Sequence, residues 1–516
     1  MAFEITKSLF QPKVKNHLHP VDVIIFTEAT YPFVKGGVST VIHQIIESHP
    51  QLSFGVIYIG WDSTNKLMSK YPPLNQLKWV DTIFLNQLGI KKSLKTFFKS
   101  LLPIKTHHLC RELIHDFKMT LNGNIQSFRS TYFRFLNPLS RKNEFYDLAQ
   151  GTKLFKEIFM NFKNEDISLN DLYWLKNDFI KIVNNLTNKI YPMARVYHSH
   201  TQGYAGFAAS LAALQHNKKF FLTEHSLYLR DVRQYLENDF KQSNKFFLKA
   251  WSNWFELIGK WNYQQANKIS YLYPKISEEA FALGSKKDVT TIIPNGISVD
   301  NFEQARQAQA IRQQHRFNPD HRWVLSLVGR IVPVKGILDI IEVAHILKCH
   351  WDRNFIIELV GPFDEDQNYF EECKKKITAL NLKKEIVFLG PKNVQEYLKE
   401  PDLIILSSHS EALPMAALEG MAAGIPVIST DVGSVRDIIQ DPFLPCGLMS
   451  PSKNPKELAT QIIELVSKKS LYELFSQNAI QRVSQGYNLK NVMNCYGAIY
   501  QELASTTSSL PEELYA

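Results

Sequence analysis

The segment VDVIIFTEA, residues 21–29, is a nearly unbroken apolar run. A strand with one wet face alternates in polarity, whereas a strand covered on both faces does not. The run therefore predicts a parallel strand buried between helices. Gly36 and Gly37 follow, and then VSTVIHQIIESH sets Val38, Val41, Ile42, Ile45 and Ile46 at helical spacing. Strand, glycine loop and helix open a Rossmann-type unit. LSFGVIYIG (52–60) predicts the next strand, and the alternation resumes with ARVYHSH (194–200), the helix GYAGFAASLAALQH and the strand KKFFLTEHS. A second series begins near residue 290 with the strands VTTIIPN, WVLSLVG, NFIIELVG, EIVFLG, DLIILSS and IPVIST, several of them separated by helical stretches such as ILDIIEVAHILKCH. The pattern predicts an α/β chain of two Rossmann-like domains with parallel sheets. The expected divisions are 1–285, 286–485, and a final helix with a polar tail over 486–516 that packs back on the first domain. Two such domains imply a central cleft, the usual place for a ligand.

A chain of 516 residues, 45% hydrophobic and 21% charged, is too long for one ordinary core and comfortable for two. No apolar run reaches the ~18–20 residues that span a bilayer. The first twenty residues carry scattered charges and no apolar stretch, so they do not read as a signal peptide. Cys110, Cys349, Cys373, Cys446 and Cys495 share no metal-ligand spacing and read as free thiols in a reducing cytoplasm. The net charge of +9 is local: between Asn86 and Lys163 there are 14 basic and 5 acidic residues, which is the whole excess. This basic, aromatic stretch interrupts the first domain as an insertion taken to run from about residue 86 to about residue 190. It fits either a solvated helical subdomain or a surface for anionic lipid or a membrane-bound partner. No nucleic-acid motif accompanies it, so nucleic acid is not expected as a partner.

Three segments of the second half carry chemistry. In SSHSEALPMAALEGMAAGIPVIST, Pro414 stands where a helix can start. Glu411 precedes that start, and Glu419 lies more than a turn inside. The first-turn amides, such as those of Met415 and Ala416, together with the helix dipole can hold a phosphate, and two carboxylates can bind sugar hydroxyls. In LSLVGRIVPVKGILDII, Arg330 and Lys335 flank a strand-to-helix loop after Gly329 and can neutralise a diphosphate. In IIPNGISVDNF, Asn295-Gly296 is a turn signal. Read one at a time, these segments also fit a capped surface helix, ordinary loop charge and a simple turn. Asp364 and Asp366 form an Asp-x-Asp that could bridge a metal to a diphosphate. With two cations and a helix end already available, no metal and no cofactor are expected. Neither a GxGxxG nor a P-loop is present.

Taken together, VGR…K, PNGI and a glutamate pair with seven residues between, followed by EGMAAGIPVI, resemble the C-terminal domain of glycosyltransferase family 4 over roughly residues 290–500. The resemblance implies the GT-B architecture and retention of anomeric configuration. By it, Arg330 and Lys335 hold the donor diphosphate, Glu411 contacts the donor sugar, Glu419 the ribose, and the base lies near Lys392–Val394. Asn295, Gly329, Val394, Leu413, Met415 and Ala416 are assigned to the same donor site. In the first half, TEATYPFVKGGVSTVIHQII, YHSHTQGYAGFAASL and FFLTEHSLYLRDVR resemble the PelF-like exopolysaccharide glycosyltransferases, which implies a UDP-sugar donor, UDP-glucose favoured. His200 then matches the histidine that approaches the donor sugar, although a histidine ending a buried strand can also be structural. Gly36 and Gly37 let the backbone approach donor or acceptor. Glu224, His225 and Arg230 are candidate acceptor or cleft residues. Ala412 and Ser226 stand where that group usually has glycine.

The expectation is a cytoplasmic hexosyltransferase, peripheral to the inner face of a membrane. It would pass sugar from a UDP-sugar to a saccharide acceptor beside a membrane-bound synthase or exporter. A GT-B epimerase and a non-catalytic nucleotide-sugar-binding subunit are the alternatives.

Overall fold

The computed structural model describes residues 18–63, 67–86, 112, 115–116, 118–120, 122–139, 160, 168–239 and 245–505. Most of the basic stretch, with Lys91, Lys92, Lys95 and Lys99, lies outside the described residues. The chain forms two compact units. One takes in the chain to Tyr271, Ser277–Thr291 and the chain from Tyr496; the other takes in Leu272–Ile276 and Ile292–Cys495.

The first unit is built on a seven-stranded sheet of β1 (Val21–Glu28), β2 (Phe54–Gly60), β3 (Leu77–Phe84), β4 (Ala194–Ser199), β5 (Lys219–Glu224), β6 (Lys268–Tyr271) and β7 (Thr290–Ile292), in the order 3-2-1-4-5-6-7. The pairings from β3 across to β6 are parallel. The apolar run behaves as its composition demands: Val23, Ile24, Ile25 and Phe26 are all buried. The VTTIIPN segment, expected to open the second series, supplies β7 at the edge of this first sheet. The expected division at 285 falls within the Ser277–Thr291 stretch of the unit. The helix Tyr204–His216 is almost wholly buried, and the helix Lys245–Gln265 packs on it. Trp261 Nε1 donates to Ser210 Oγ at 2.9 Å, which satisfies the indole in the core. The last helix, Leu489–Ser505, adds Tyr500 to this unit, its hydroxyl 2.8 Å from His198 Nδ1.

The second unit is a six-stranded parallel sheet of β8 (Trp323–Val328), β9 (Phe355–Val360), β10 (Ile386–Gly390), β11 (Leu403–Leu406), β12 (Val427–Thr430) and β13 (Gly447–Ser450), in the order 10-9-8-11-12-13. Its core joins Trp323, Leu325 and Leu327 of β8 to Ile340, Ile341, Ala344 and Leu347 of the helix Ile337–His350. At the start of β11 the fully buried Asp402 gathers four donors. Arg316 Nε donates at 2.8 Å, Arg312 at 3.1 Å, His321 Nε2 lies at 2.9 Å, and the Val324 amide donates at 2.8 Å. These partners hold the carboxyl at about 2, against the upward push of burial. Both sheets therefore repeat one plan, in which the strand order reverses at a central strand, β1 or β8. The ligand crevice of such a sheet lies at the carboxyl ends of the two strands on either side of that reversal.

Because Arg316 is as buried as Asp402, Asp402→Ala leaves an uncompensated buried charge. The expected loss is about 3–5 kcal/mol of stability, measured by urea unfolding of the second unit's transition. A change below about 1 kcal/mol would show that the network is solvent-screened.

Candidate functional site

In the second unit, the reversal places the loop after β8 beside the loop after β11. The β8 loop carries Gly329, Arg330 and a short turn of 3-10 helix, Pro333–Lys335, ending at Gly336. Gly336 adopts a left-handed φ of 64°, and a side-chain carbon there would lie 2.2 Å from Ser407 O. Only glycine meets both demands. Ser407 Oγ donates to Lys335 O at 2.8 Å, and the His409 amide donates to Val334 O at 2.8 Å, so the two loops are stitched together. This fixes Lys335, whose ammonium forms an ion pair with Glu411 Oε1. Ser408 Oγ donates to the same oxygen at 2.6 Å. A third loop closes on Glu411 from behind: Gly433 has φ 56°, a side-chain carbon there would lie 1.8 Å from Glu411 O, and the Ser434 amide donates to Ala412 O at 3.1 Å.

The helix Met415–Ala422 starts after Pro414 with no side-chain cap. The amides of Met415 and Ala416 meet no acceptor among the described residues. Leu413 is buried beside them. Glu419 is half-buried, its carboxyl has no hydrogen-bond partner among the described residues, and burial pushes it up to about 7. Asn295 is buried, and its Oδ1 also lacks a partner. Lysine, serine, carboxylates and free amides thus collect at the carboxyl end of β8 and β11, an arrangement able to take an anion together with hydroxyl groups. Arg330 is exposed and pairs with Glu365 at 2.6 Å, so it is not part of the Lys335–Glu411 cluster here. Asp366 caps the helix Gln367–Ala379 by accepting from the Tyr369 amide at 3.0 Å. Val394 begins the four-residue helix Val394–Tyr397 and is half-exposed.

In the first unit the reversal lies between β1 and β4. Beyond β1, Gly36 and Gly37 have open space where side chains would stand. His200 follows β4 and His225 follows β5; His200 Nδ1 lies 2.9 Å from His225 Nε2. Burial drives His200 well below the ordinary imidazole range, with a further push from His198 and His225, and burial alone takes His225 to about 4. Glu224 turns inward: Tyr263 OH donates to it at 2.8 Å and the Tyr228 amide at 3.1 Å, and burial still pushes its carboxyl to about 7. That carboxylate serves the interior rather than an open surface. Arg230 is half-exposed and pairs with Asp231 and Glu279, each at 3.3 Å. Sequence reasoning missed Ser408, Gly336, Gly433, Glu365 and Glu28. Glu28, at the end of β1, accepts from the Ala205 amide at 3.2 Å and so serves the start of the helix Tyr204–His216. The left-handed glycines leave a readable trace in VKG and DVG; the pairings across loops leave none. Among the described residues no group of three or more His, Cys, Asp or Glu is placed to hold a metal ion, and no helix is long and apolar enough to cross a membrane.

A family model described as "Domain of unknown function (DUF3492)" matches residues 21–288, just over half of the chain. A second, described as "Glycosyl transferases group 1", matches residues 307–482. The chain belongs to the DUF3492 family, and its second unit carries a glycosyl transferases group 1 domain. Among curated proteins it is 28% identical over 180 residues to an uncharacterized glycosyltransferase, MJ1178, of Methanocaldococcus jannaschii, covering 34% of this chain and 47% of that one. It is 25% identical over 201 residues to the UDP-Gal:alpha-D-GlcNAc-diphosphoundecaprenol alpha-1,3-galactosyltransferase of Escherichia coli, covering 39% and 50%. The chain thus spans about half the length of these two relatives. Among solved structures it is similar to sucrose-phosphate synthase from Thermosynechococcus elongatus, with a TM-score of 0.57 at 17% identity over 93% of this chain and 98% of that one. It is also similar to Anabaena HepE solved with UDP, with a TM-score of 0.55 at 14% identity over 93% and 100%. At such identities the likeness shows the fold, which is GT-B: two Rossmann-like domains, each on a parallel sheet.

The Glu419 carboxyl gives a test of the site that needs no substrate. Its folded value of about 7 stands above the usual 4.5. Its contribution to stability is therefore full below pH 4.5 and is lost as pH rises through 7. Glu419→Gln removes that loss. The variant should melt about 2–4 °C higher than the parent at pH 8, the scale of roughly 1 kcal/mol in a domain of this size, and level with it at pH 4.5. Parallel melting curves at both pH values would mean that Glu419 is ionised and solvated in the free protein.

Proposed function

We propose that this chain is a retaining glycosyltransferase that moves a hexose from a UDP-sugar, UDP-glucose favoured, onto a growing saccharide in exopolysaccharide or cell-surface polysaccharide assembly. The observation that carries the reading is the Lys335–Glu411–Ser408 cluster set beside the uncapped amides of Met415 and Ala416 at the strand reversal of the second sheet. An incoming diphosphate would take Lys335 and the free amides. Glu411, released from its ion pair, would accept from sugar hydroxyls, and Glu419 from the ribose. Arg330 would leave Glu365 and add a second cation. His200, and the open backbone at Gly36 and Gly37, would serve the sugar and the acceptor.

In the proposed step the bond from the anomeric carbon to the diphosphate oxygen breaks. The acceptor hydroxyl forms its new bond on the same face, and its proton passes to the departing phosphate oxygen. Charge on the leaving group is met by Lys335, Arg330 and the helix end, so neither a metal nor a protein nucleophile takes part. Uridine is favoured by the PelF-like segments of the first half. In support, the name of the Escherichia coli relative specifies UDP-Gal and the HepE structure holds UDP.

UDP should raise the melting temperature more than GDP or ADP at equal concentration, through binding to the native state alone. With EDTA present, Lys335→Ala should lower sugar transfer about 10²-fold or more, the scale of one lost charge-stabilising donor. A larger shift with GDP contradicts the uridine assignment, and near-parental turnover in the variant contradicts the site.

The charge excess between Asn86 and Lys163 supports attachment to an anionic membrane or a membrane-bound partner. Replacing Lys91, Lys92, Lys95 and Lys99 by Glu should weaken low-salt co-sedimentation with anionic vesicles while leaving UDP binding intact. Unchanged sedimentation would assign the stretch to a solvated subdomain.

A further inference from the structure

His200 Nδ1 and His225 Nε2 are 2.9 Å apart, and the rings stack with centroids 5.2 Å apart at 21°. Both side chains are buried. His200 Nε2 is buried without a partner among the described residues. Among the described residues, the neighbouring His198 cannot replace His225 in this contact. The His198 and His200 ring centroids are 4.2 Å apart, but His198 Nδ1 is held by Tyr500 OH at 2.8 Å and its Nε2 by Thr223 Oγ1 at 2.8 Å. His198 therefore braces the His200 ring on one side while His225 bonds it.

Burial and the neighbouring rings keep His200 and His225 neutral near pH 7. Each ring then carries one hydrogen, and one of the two must lie in the contact. Two arrangements exist. If His225 donates, both rings carry hydrogen on Nε2. If His200 donates, both carry it on Nδ1. A neutral imidazole intrinsically favours the Nε2–H form, so the first arrangement suits both rings and the second suits neither.

We propose that His225 is a positioning residue whose Nε2–H donates to His200 Nδ1, which presents His200 Nε2–H as a hydrogen-bond donor to an oxygen of the bound sugar nucleotide. The assignment rests on the reading that His200 serves the donor sugar. It gives His200 the task of donating to substrate oxygen and removes it as a general base. The carboxylates nearby do not compete for the contact, since Glu224 is taken by Tyr263 and Tyr228, and Glu28 by Ala205 and Tyr228.

The test begins with nitrogen-15 NMR of the histidine-labelled, ligand-free protein at neutral pH, with the His200 signals identified by their loss in His200→Gln. Nε2 of His200 should resonate as a protonated nitrogen and Nδ1 as an unprotonated one. His225→Leu should abolish that signature and lower kcat/KM for transfer roughly 10-fold or more, the usual scale for a lost orienting partner. UDP affinity should be unchanged. His225→Gln, whose amide nitrogen can stand near the Nε2 position and donate, should restore the signature and most of the lost kcat/KM. A proton on Nδ1 of His200 in the parent overturns the proposal, as does a His225→Leu variant with parental spectrum and kinetics. Since the spectrum is read without substrate, it decides the tautomer even where the chain transfers no sugar.

Discussion

Lys335 and Glu411 form an ion pair largely withdrawn from water, between loops that meet 76 residues apart in the chain. Opposite charges held in a partly desolvated place attract more strongly than on a wet surface. Each also carries a desolvation cost that only a partner offsets. The backbone around the pair is committed to keeping it. Gly336 passes under Ser407, Ser407 holds the Lys335 carbonyl, and Gly433 passes against the Glu411 carbonyl. A methyl group at either glycine would push the loops apart and misplace a charge. Under the proposed function, the pair is what an incoming diphosphate would compete with, since Glu411 neutralises Lys335.

The first unit shows the opposite economy. At the carboxyl ends of β1, β4 and β5 it places the half-buried Glu28 and the buried Glu224, His198, His200 and His225, polar groups that a purely structural core would avoid. Most are satisfied internally: Glu28 and Glu224 accept backbone amides, and His198 bridges Tyr500 and Thr223. His200 Nε2 is the exception in this cluster of rings. An unsatisfied buried atom beside a well-bonded network is a local defect of the kind that functional sites retain.

Much of this was legible in the sequence. The apolar runs at 21–29 and 323–328 specify strands buried on both faces, and those strands became the central β1 and β8. The missed strands are β3, mostly half-exposed at an edge, and the four-residue β6 and β13. An edge strand lacks the continuous apolar run, and KISY and GLMS lack the apolar stretch that marks the equally short β11 and β12. Placing VTTIIPN in the second series followed chain order, whereas hydrogen bonding joins it to the first sheet. Lys335, Glu411 and Met415 are readable as candidates because each sits in a loop after a strand or at a helix start. The Ser408 bond to Glu411, the Glu365 pair with Arg330, and the inward turn of Glu224 depend on side-chain packing and leave no pattern along the chain.

The central claim is group transfer with retention, and product stereochemistry tests it most directly. Purified chain would be incubated with UDP-glucose and a panel of glucan and exopolysaccharide acceptors, and the new linkage read from its anomeric proton coupling. The account predicts UDP release matched by an α-linked glucosyl product from the α-linked donor. A β-linked product, or tight UDP binding with no transfer to any acceptor, would contradict it.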